Sequence, residues 1–95
     1  MAAYVIVDLQ VTDPARFAAY RERVPATLAA YGGRFLVRGG THEVVEGSWH
    51  PRRLVVLEFP SLAQARRWYD SEEYREPKAT RLAASNANLV FVEGL

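Results

Sequence analysis

The chain is short and nearly neutral: it has 95 residues, with 12 basic and 11 acidic side chains, and no cysteine. This length predicts one domain, residues 1–95, with a modest core that oligomerisation would supplement. The balanced charge gives no indication of a nucleic-acid partner, and the absence of cysteine excludes disulfides, thiolate nucleophiles and zinc–thiolate sites.

The first third of the chain predicts a strand followed by a helix. Residues 3–11 alternate between apolar and mixed side chains, a pattern typical of a half-buried strand. Residues 13–33 are predicted to be helical, because Asp13 can cap the N-terminus, Pro14 suits the first turn, and apolar residues recur at helical spacing. A glycine pair ends this helix.

The middle of the chain predicts two strands and a third, shorter one. Residues 34–40, RFLVRGG, are expected to form the second strand, and residues 53–59, RLVVLEF, the third. Residues 41–47, THEVVEG, are interpreted as a short strand or one arm of a hairpin. The turn that follows, residues 46–53, contains a carboxylate, an indole, an imidazole and two guanidiniums.

The last third predicts two helices and a strand. Ser61 and Gln64 form a capping box at the start of the first helix, and Ser71 caps the second. Residues 87–94, ANLVFVEG, are expected to form the final strand. The order is therefore β-α-β-β-α-β, which predicts a ferredoxin-like α+β fold: an antiparallel sheet with helices on one face.

The second face of this sheet has no cover within the chain. It is expected to carry residues from three strands, namely Tyr4, Ile6 and Asp8, then Leu54, Val56 and Glu58, then Leu36 and Arg38. Because this face is apolar but partly charged, we expect a second copy to cover it and form a homodimer. Arg38 would pair with Asp8 or Glu58, since unpaired buried charge is costly; alternatively, these groups line a small polar cavity.

Three motifs give the chain a specific resemblance to a known family. They are E-G-x-W-x-P-x-R at residues 46–53, E-F-P-S at residues 58–61 and W-Y-D-S-E-E-Y at residues 68–74. With them, the sequence from Tyr4 to Gly94 resembles the uncharacterised family called domain of unknown function 1330, which is similar to the dimeric α/β-barrel superfamily. This resemblance implies a homodimer whose two sheets form one barrel, with a pocket between sheet and helices.

The resemblance implies a range of chemistry but no particular reaction. The superfamily includes small monooxygenases, isomerases and decarboxylases that act on small organic molecules, and a shared fold does not fix which chemistry a member performs. The family offers no settled catalytic residues to transfer to this chain. No cofactor is predicted.

The candidate ligand-binding residues are arginines and aromatic side chains. Arginine recognises carboxylates through paired hydrogen bonds and tryptophan supplies an apolar wall, which together predict a pocket for a small anionic molecule. The predicted binding residues are Arg38, Trp49, Arg53, Trp68 and Tyr69. In the alternative interpretation, Trp49 closes the end of the barrel, Arg53 pairs with Glu46, and the helix aromatics belong to the core.

Three residues are candidates for proton transfer: Asp8, Glu58 and His50. Histidine is included because its unperturbed pKa lies near neutrality. No metal site is predicted, because His42 and His50 lack the close spacing of a metal-binding motif.

The expected location of the protein follows from apolar patterning. No run of about 20 apolar residues occurs, so no membrane partner is expected. The apolar N-terminal stretch lacks a basic region and is interrupted by Asp8, which favours a strand over a signal peptide. Together with the absence of cysteine, this fits a cytoplasmic protein.

Three interpretations of the function remain open from the sequence. The first is a small cofactor-free enzyme that acts on a small anionic organic molecule. The second is a non-catalytic small-molecule-binding or stress-response accessory dimer, and a purely structural dimer is a third possibility.

Overall fold

A computed structural model describes all residues, 1–95, as four strands and three helices. In chain order these are β1 Ala3–Val11, α1 Pro14–Ala29, β2 Arg34–Arg38, β3 Arg53–Phe59, α2 Leu62–Tyr69, α3 Glu72–Ala84 and β4 Ser85–Glu93. The strands form one sheet in the order β2-β3-β1-β4, and every neighbouring pair is antiparallel. The predicted ferredoxin-like α+β fold is confirmed. None of the helices is long and apolar enough to cross a membrane.

The helices begin where the sequence places capping residues. The side chain of Asp13 accepts a hydrogen bond from the backbone N–H of Arg16, which satisfies one free donor at the start of α1. Ser61 caps α2 and Ser71 caps α3 in the same way. These caps fix the ends of the helices and therefore the points where the chain returns to the sheet.

One face of the sheet packs against the helices and forms the core. The residues of β1 that point to this face are 0–5% exposed: Ala3, Val5, Val7 and Leu9. Trp68 and Tyr74 cover them from the helix layer with ring centroids 4.1 Å apart. This agrees with the predicted open face, which takes Tyr4, Ile6 and Asp8 from β1 and leaves Val5, Val7 and Leu9 for the helix-covered face.

The opposite face of the sheet, which we call the open face, carries an aliphatic row across all four strands. The strand register places Val37 beside Val56, Val56 beside Ile6, and Ile6 beside Val90. Val90 is 55% exposed and Val37 is 38% exposed, and no helix covers either residue. The chain by itself therefore leaves an apolar surface in contact with solvent.

Two predictions about the middle of the chain were wrong. Residues 41–47 form no strand; they belong to an exposed connection between β2 and β3 that makes no ladder with the sheet. A bulge between Phe35 and Val37 places one extra residue, Leu36, in β2. Because side chains alternate along a strand, this one-residue insertion moves Arg38 from the predicted open face to the helix-covered face.

We expect Gly33→Ala to destabilise the fold. A methyl group at Gly33 would lie 2.5 Å from the ring of Phe59, a side chain that is 1% exposed and packed against Trp68. The free energy of unfolding should fall by about 1–3 kcal/mol, the usual cost of overpacking a core. Urea denaturation measures this change.

Gly40→Ala is the matched control, because the same methyl group meets no atom within 4 Å there. It should change stability by less than about 1 kcal/mol. Equal effects of the two substitutions would contradict the packing of Gly33 against Phe59.

Candidate functional site

A narrow cavity lies between the helix-covered face of the sheet and the helices. Its walls are apolar and come from every layer of the fold, including Val7, Leu9, Phe17, Val55, Trp68 and Leu89. About 40 Å³ of its volume can hold the centre of a water molecule. This space is small, so in this form the cavity accepts only a small or slender guest.

The polar part of the cavity lining consists entirely of arginines and tyrosines. The arginines are Arg21, Arg38, Arg53 and Arg81, and the lining contains no carboxylate, amide or imidazole. An apolar site strengthens the repulsion between like charges and the attraction for an opposite charge. The lining therefore carries positive charge with no acidic side chain of its own to balance it.

Arg53 is the arginine whose hydrogen bonding is least satisfied. It stands at the start of β3 opposite Leu9, so its side chain points into the cavity. Its Nε is buried and has no hydrogen-bond partner. Burial lowers the pKa of Arg53, and the charges of Arg21 and Arg38 lower it further. An acceptor beside this guanidinium would relieve both costs.

Gly39 leaves the space that the guanidinium of Arg53 occupies. Its φ is +71°, a conformation that glycine adopts without strain, and a side-chain carbon there would collide with the Arg53 guanidinium. Gly39, at the end of the predicted second strand, thus makes room for this cation.

Arg38 reaches the cavity mouth through the bulge in β2. Its Nη2 donates to the backbone carbonyl of Arg21 at 2.6 Å, and its guanidinium lies 4.3 Å from the centre of the Phe35 ring. Burial lowers the pKa of Arg38, as does the charge of Arg21. Neither contact neutralises Arg38, because a carbonyl and an aromatic ring carry no net charge.

A hydrogen-bonded chain of three side chains closes the inner end of the cavity. The Tyr20 and Tyr74 hydroxyls are 2.8 Å apart, and Nε of Arg81 donates to the Tyr74 hydroxyl at 3.2 Å. Arg81 is 4% exposed, yet it forms no ion pair with a carboxylate. Burial is the main cause that raises the pKa of both Tyr20 and Tyr74, so both hydroxyls remain neutral.

The helix aromatics that the sequence selects take different positions. Trp68 lines the cavity, and its Nε1 donates to the Thr27 hydroxyl at 3.0 Å, which fixes the ring. Tyr69 is not part of the lining: it packs behind Trp68 and edge-on against Phe91. A ligand-binding role for Tyr69 would require the cavity to extend beyond its present walls.

The remaining selected residues lie outside the cavity. Asp8 accepts hydrogen bonds from Trp49 Nε1 at 2.9 Å and from the backbone N–H of Arg52 at 3.2 Å, so it holds the β2–β3 connection against the open face. Trp49 is 60% exposed and is separated from Arg53 by the sheet. The predicted binding residues Trp49 and Arg53 therefore lie on opposite sides of the sheet.

The two other candidates for proton transfer are also away from the cavity. Glu58 pairs with Arg34 across the open face at 2.7 Å. The predicted pairing of Arg38 with Asp8 or Glu58 is wrong, because the bulge places Arg38 on the other side of the sheet. His50 is exposed in the β2–β3 connection.

Sequence reasoning did not select Tyr20 as a site residue. Its spacing in α1 is that of a core residue, and only the contact with Tyr74, 54 residues later, shows its polar role. Arg21, the next residue, gave no signal because it resembles a solvated helix arginine. No three histidine, aspartate or glutamate side chains of the chain come together as a metal site would require.

The sequence matches one protein family over almost its full length. Residues 2–95 match the domain of unknown function DUF1330. The chain belongs to the DUF1330 family. The resemblance drawn from its three motifs is thereby confirmed. No curated protein matches the sequence.

Several solved structures share the fold of this DUF1330 chain at low sequence identity. A protein of unknown function from Rhodopseudomonas palustris is 19% identical, with a TM-score of 0.80 over 99% of this chain and 82% of that one. SnoaB, a cofactor-independent oxygenase from Streptomyces nogalater, is 15% identical, with a TM-score of 0.68 over 99% and 93%.

A third similar structure is described as a dimeric ferredoxin-like protein of unknown function, from a Jannaschia species. It is 13% identical, with a TM-score of 0.73 over 99% of this chain and all of that one. At these identities the similarity establishes the fold and leaves the chemistry open.

We expect the inner tyrosines to make the protein less stable in alkali. In the unfolded chain a tyrosine loses its proton near pH 10, whereas burial raises the pKa of Tyr20 and Tyr74 in the folded protein. Above about pH 10 the unfolded state therefore binds fewer protons than the folded state, and stability falls by about 1.4 kcal/mol per pH unit for each such proton.

Urea denaturation between pH 9 and pH 11.5 measures this slope. Tyr20→Phe removes one of the two protons and should make the slope shallower. A slope that is the same in the two proteins would show that Tyr20 ionises in the folded state as it does in the unfolded chain.

Proposed function

We propose that this protein binds a small organic anion in the arginine-lined cavity. The proposal rests on the charge of the cavity lining, which contains four arginines and two tyrosines but no acidic side chain. Carboxylate and phosphate groups are the usual partners of such guanidiniums. A bound anion would supply the negative charge that the chain does not provide.

The apolar walls indicate what else the anion contains. Most of the lining is aliphatic or aromatic, so the hydrocarbon part of a guest would replace water there at a favourable free energy. Arg38 and Arg53 would hold the anionic group. The narrowness of the cavity favours a short chain or a thin, flat molecule.

Binding without turnover fits this lining better than proton transfer does. Asp8, Glu58 and His50 lie outside the cavity, and the raised pKa of Tyr20 makes that hydroxyl a poor base. The alternative is a cofactor-free enzyme. Its support is that SnoaB, a cofactor-independent oxygenase, has the same fold. Such an enzyme would have to work by stabilising negative charge on its substrate.

Arg53→Met tests the proposal with butyrate as the probe. The substitution keeps the apolar stem and removes the guanidinium. We expect butyrate affinity, measured by isothermal titration calorimetry, to fall by about 1.5–3 kcal/mol, the value of a hydrogen bond to a charged group. The ligand-free variant should be at least as stable as the parent, because a buried donor without an acceptor is removed.

The matched control is Arg67→Met, which makes the same change in charge on the exposed surface of α2. Affinity for butyrate should remain unchanged in it. Unchanged affinity with lost stability in Arg53→Met would instead assign Arg53 to the fold, and the absence of butyrate binding by the parent would reject a carboxylate pocket.

We further propose that the open face is covered by a second copy of the chain. The aliphatic row of Val37, Val56, Ile6 and Val90 is flanked by the Arg34–Glu58 ion pair, a combination that suits a face buried in a symmetric dimer. The dimeric description of the Jannaschia protein supports this arrangement. Homodimerisation would also add buried apolar area to the modest core of a 95-residue chain.

Light scattering with a pair of lysine variants tests the dimer. The parent chain, 10.7 kDa, should give about twice that mass at micromolar concentration. Val90→Lys places a charge in the aliphatic row and should shift the protein toward monomer. Leu82→Lys, at a residue of α3 that is 60% exposed, should not. A monomeric parent would exclude the dimer.

A further inference from the structure

The inner end of the cavity has more hydroxyl hydrogens than acceptors. Tyr20 and Tyr74 carry one hydroxyl hydrogen each, and the single contact between them uses one of the two. Arg81 accepts nothing, because a guanidinium is only a donor. One hydroxyl hydrogen is therefore left without an acceptor from the chain, in a pair of side chains that both line the cavity.

The buried arginine determines which hydroxyl keeps the free hydrogen. Arg81 donates to the oxygen of Tyr74 at 3.2 Å, and a hydroxyl that accepts from a cation becomes a stronger donor itself. Tyr74 is then the better donor of the two and would donate to Tyr20, which would leave the hydrogen of Tyr20 free. The order of donation runs from Arg81 through Tyr74 to Tyr20 and ends in the cavity.

We propose that the Tyr20 hydroxyl donates this hydrogen to a second oxygen of the bound anion, so that the ligand is an oxo acid or its enol form. This inference rests on the proposed anion-binding function and adds a ligand class to it. One oxygen group, the carboxylate, would lie at Arg38 and Arg53 near the mouth. The other, a carbonyl or enolate oxygen, would lie at Tyr20.

The chemistry of the inner end suits a carbonyl oxygen in particular. A neutral donor backed by a buried cation stabilises partial negative charge on the oxygen that accepts from it. Because the pKa values of both tyrosines are raised, the donor remains present throughout the neutral range. A fatty acid of the same length would leave the Tyr20 hydrogen unpaired and would bind less tightly.

The test compares butyrate with 2-oxobutanoate and 3-oxobutanoate, which differ from it only by a carbonyl at one of two positions. We expect at least one oxo acid to bind about threefold to tenfold more tightly than butyrate, the size of one net hydrogen bond. In Tyr20→Phe this advantage of the oxo acid over butyrate should be lost. Tyr4→Phe, which removes a hydroxyl from the open face, should keep the advantage.

Infrared spectroscopy of the bound oxo acid, labelled with ¹³C at its carbonyl, provides a second measurement. The carbonyl stretch should shift to lower frequency on binding to the parent protein and return toward its solution value in Tyr20→Phe. Equal affinities of the three acids, or an oxo-acid advantage that survives in Tyr20→Phe, would overturn the role of Tyr20. If butyrate binding still depended on Arg53 in that case, the proposed anion pocket would be retained without a role for Tyr20.

Discussion

Two arginines place positive charge among the apolar side chains of the cavity, which costs the fold stability. Arg53 has a buried Nε without an acceptor, and Arg81 is 4% exposed without a carboxylate partner. A fold under selection for stability alone would place an acid beside them or replace them with aliphatic residues. The packed aromatics Phe59, Trp68 and Tyr74 offset part of this cost, since large buried rings contribute much of a small core.

The two faces of the sheet present different sets of side chains, because side chains alternate along each strand. The helix-covered face of β3 presents Arg53, Val55 and Leu57 to the cavity, and the open face of the same strand presents Val56 and Glu58. A polar site and an apolar association surface can thus be built from neighbouring residues. A change on one face leaves the other face intact provided that the register is kept.

The sequence predicted the fold well because the fold depends on local signals. Alternation, helix caps at Asp13, Ser61 and Ser71, and the element order determine the architecture. The site was predicted only in part, because it depends on one inserted residue in β2 and on contacts distant in sequence. A bulge leaves no clear sequence signal, so Arg38 was placed on the wrong face, and the contact of Tyr20 with Tyr74 requires the packed helices.

The four arginines of the cavity differ in how exposed they are to solvent. Arg21 and Arg38 are exposed, Arg53 is half-buried, and Arg81 is buried, so positive charge continues from solvent to the inner end. Water screens the outer charges, which can attract an anion without a large desolvation cost. The inner charge polarises the Tyr74 hydroxyl through the hydrogen bond from Arg81 Nε. In the proposed complex a guest would keep its carboxylate near the mouth and turn its less charged oxygen inward.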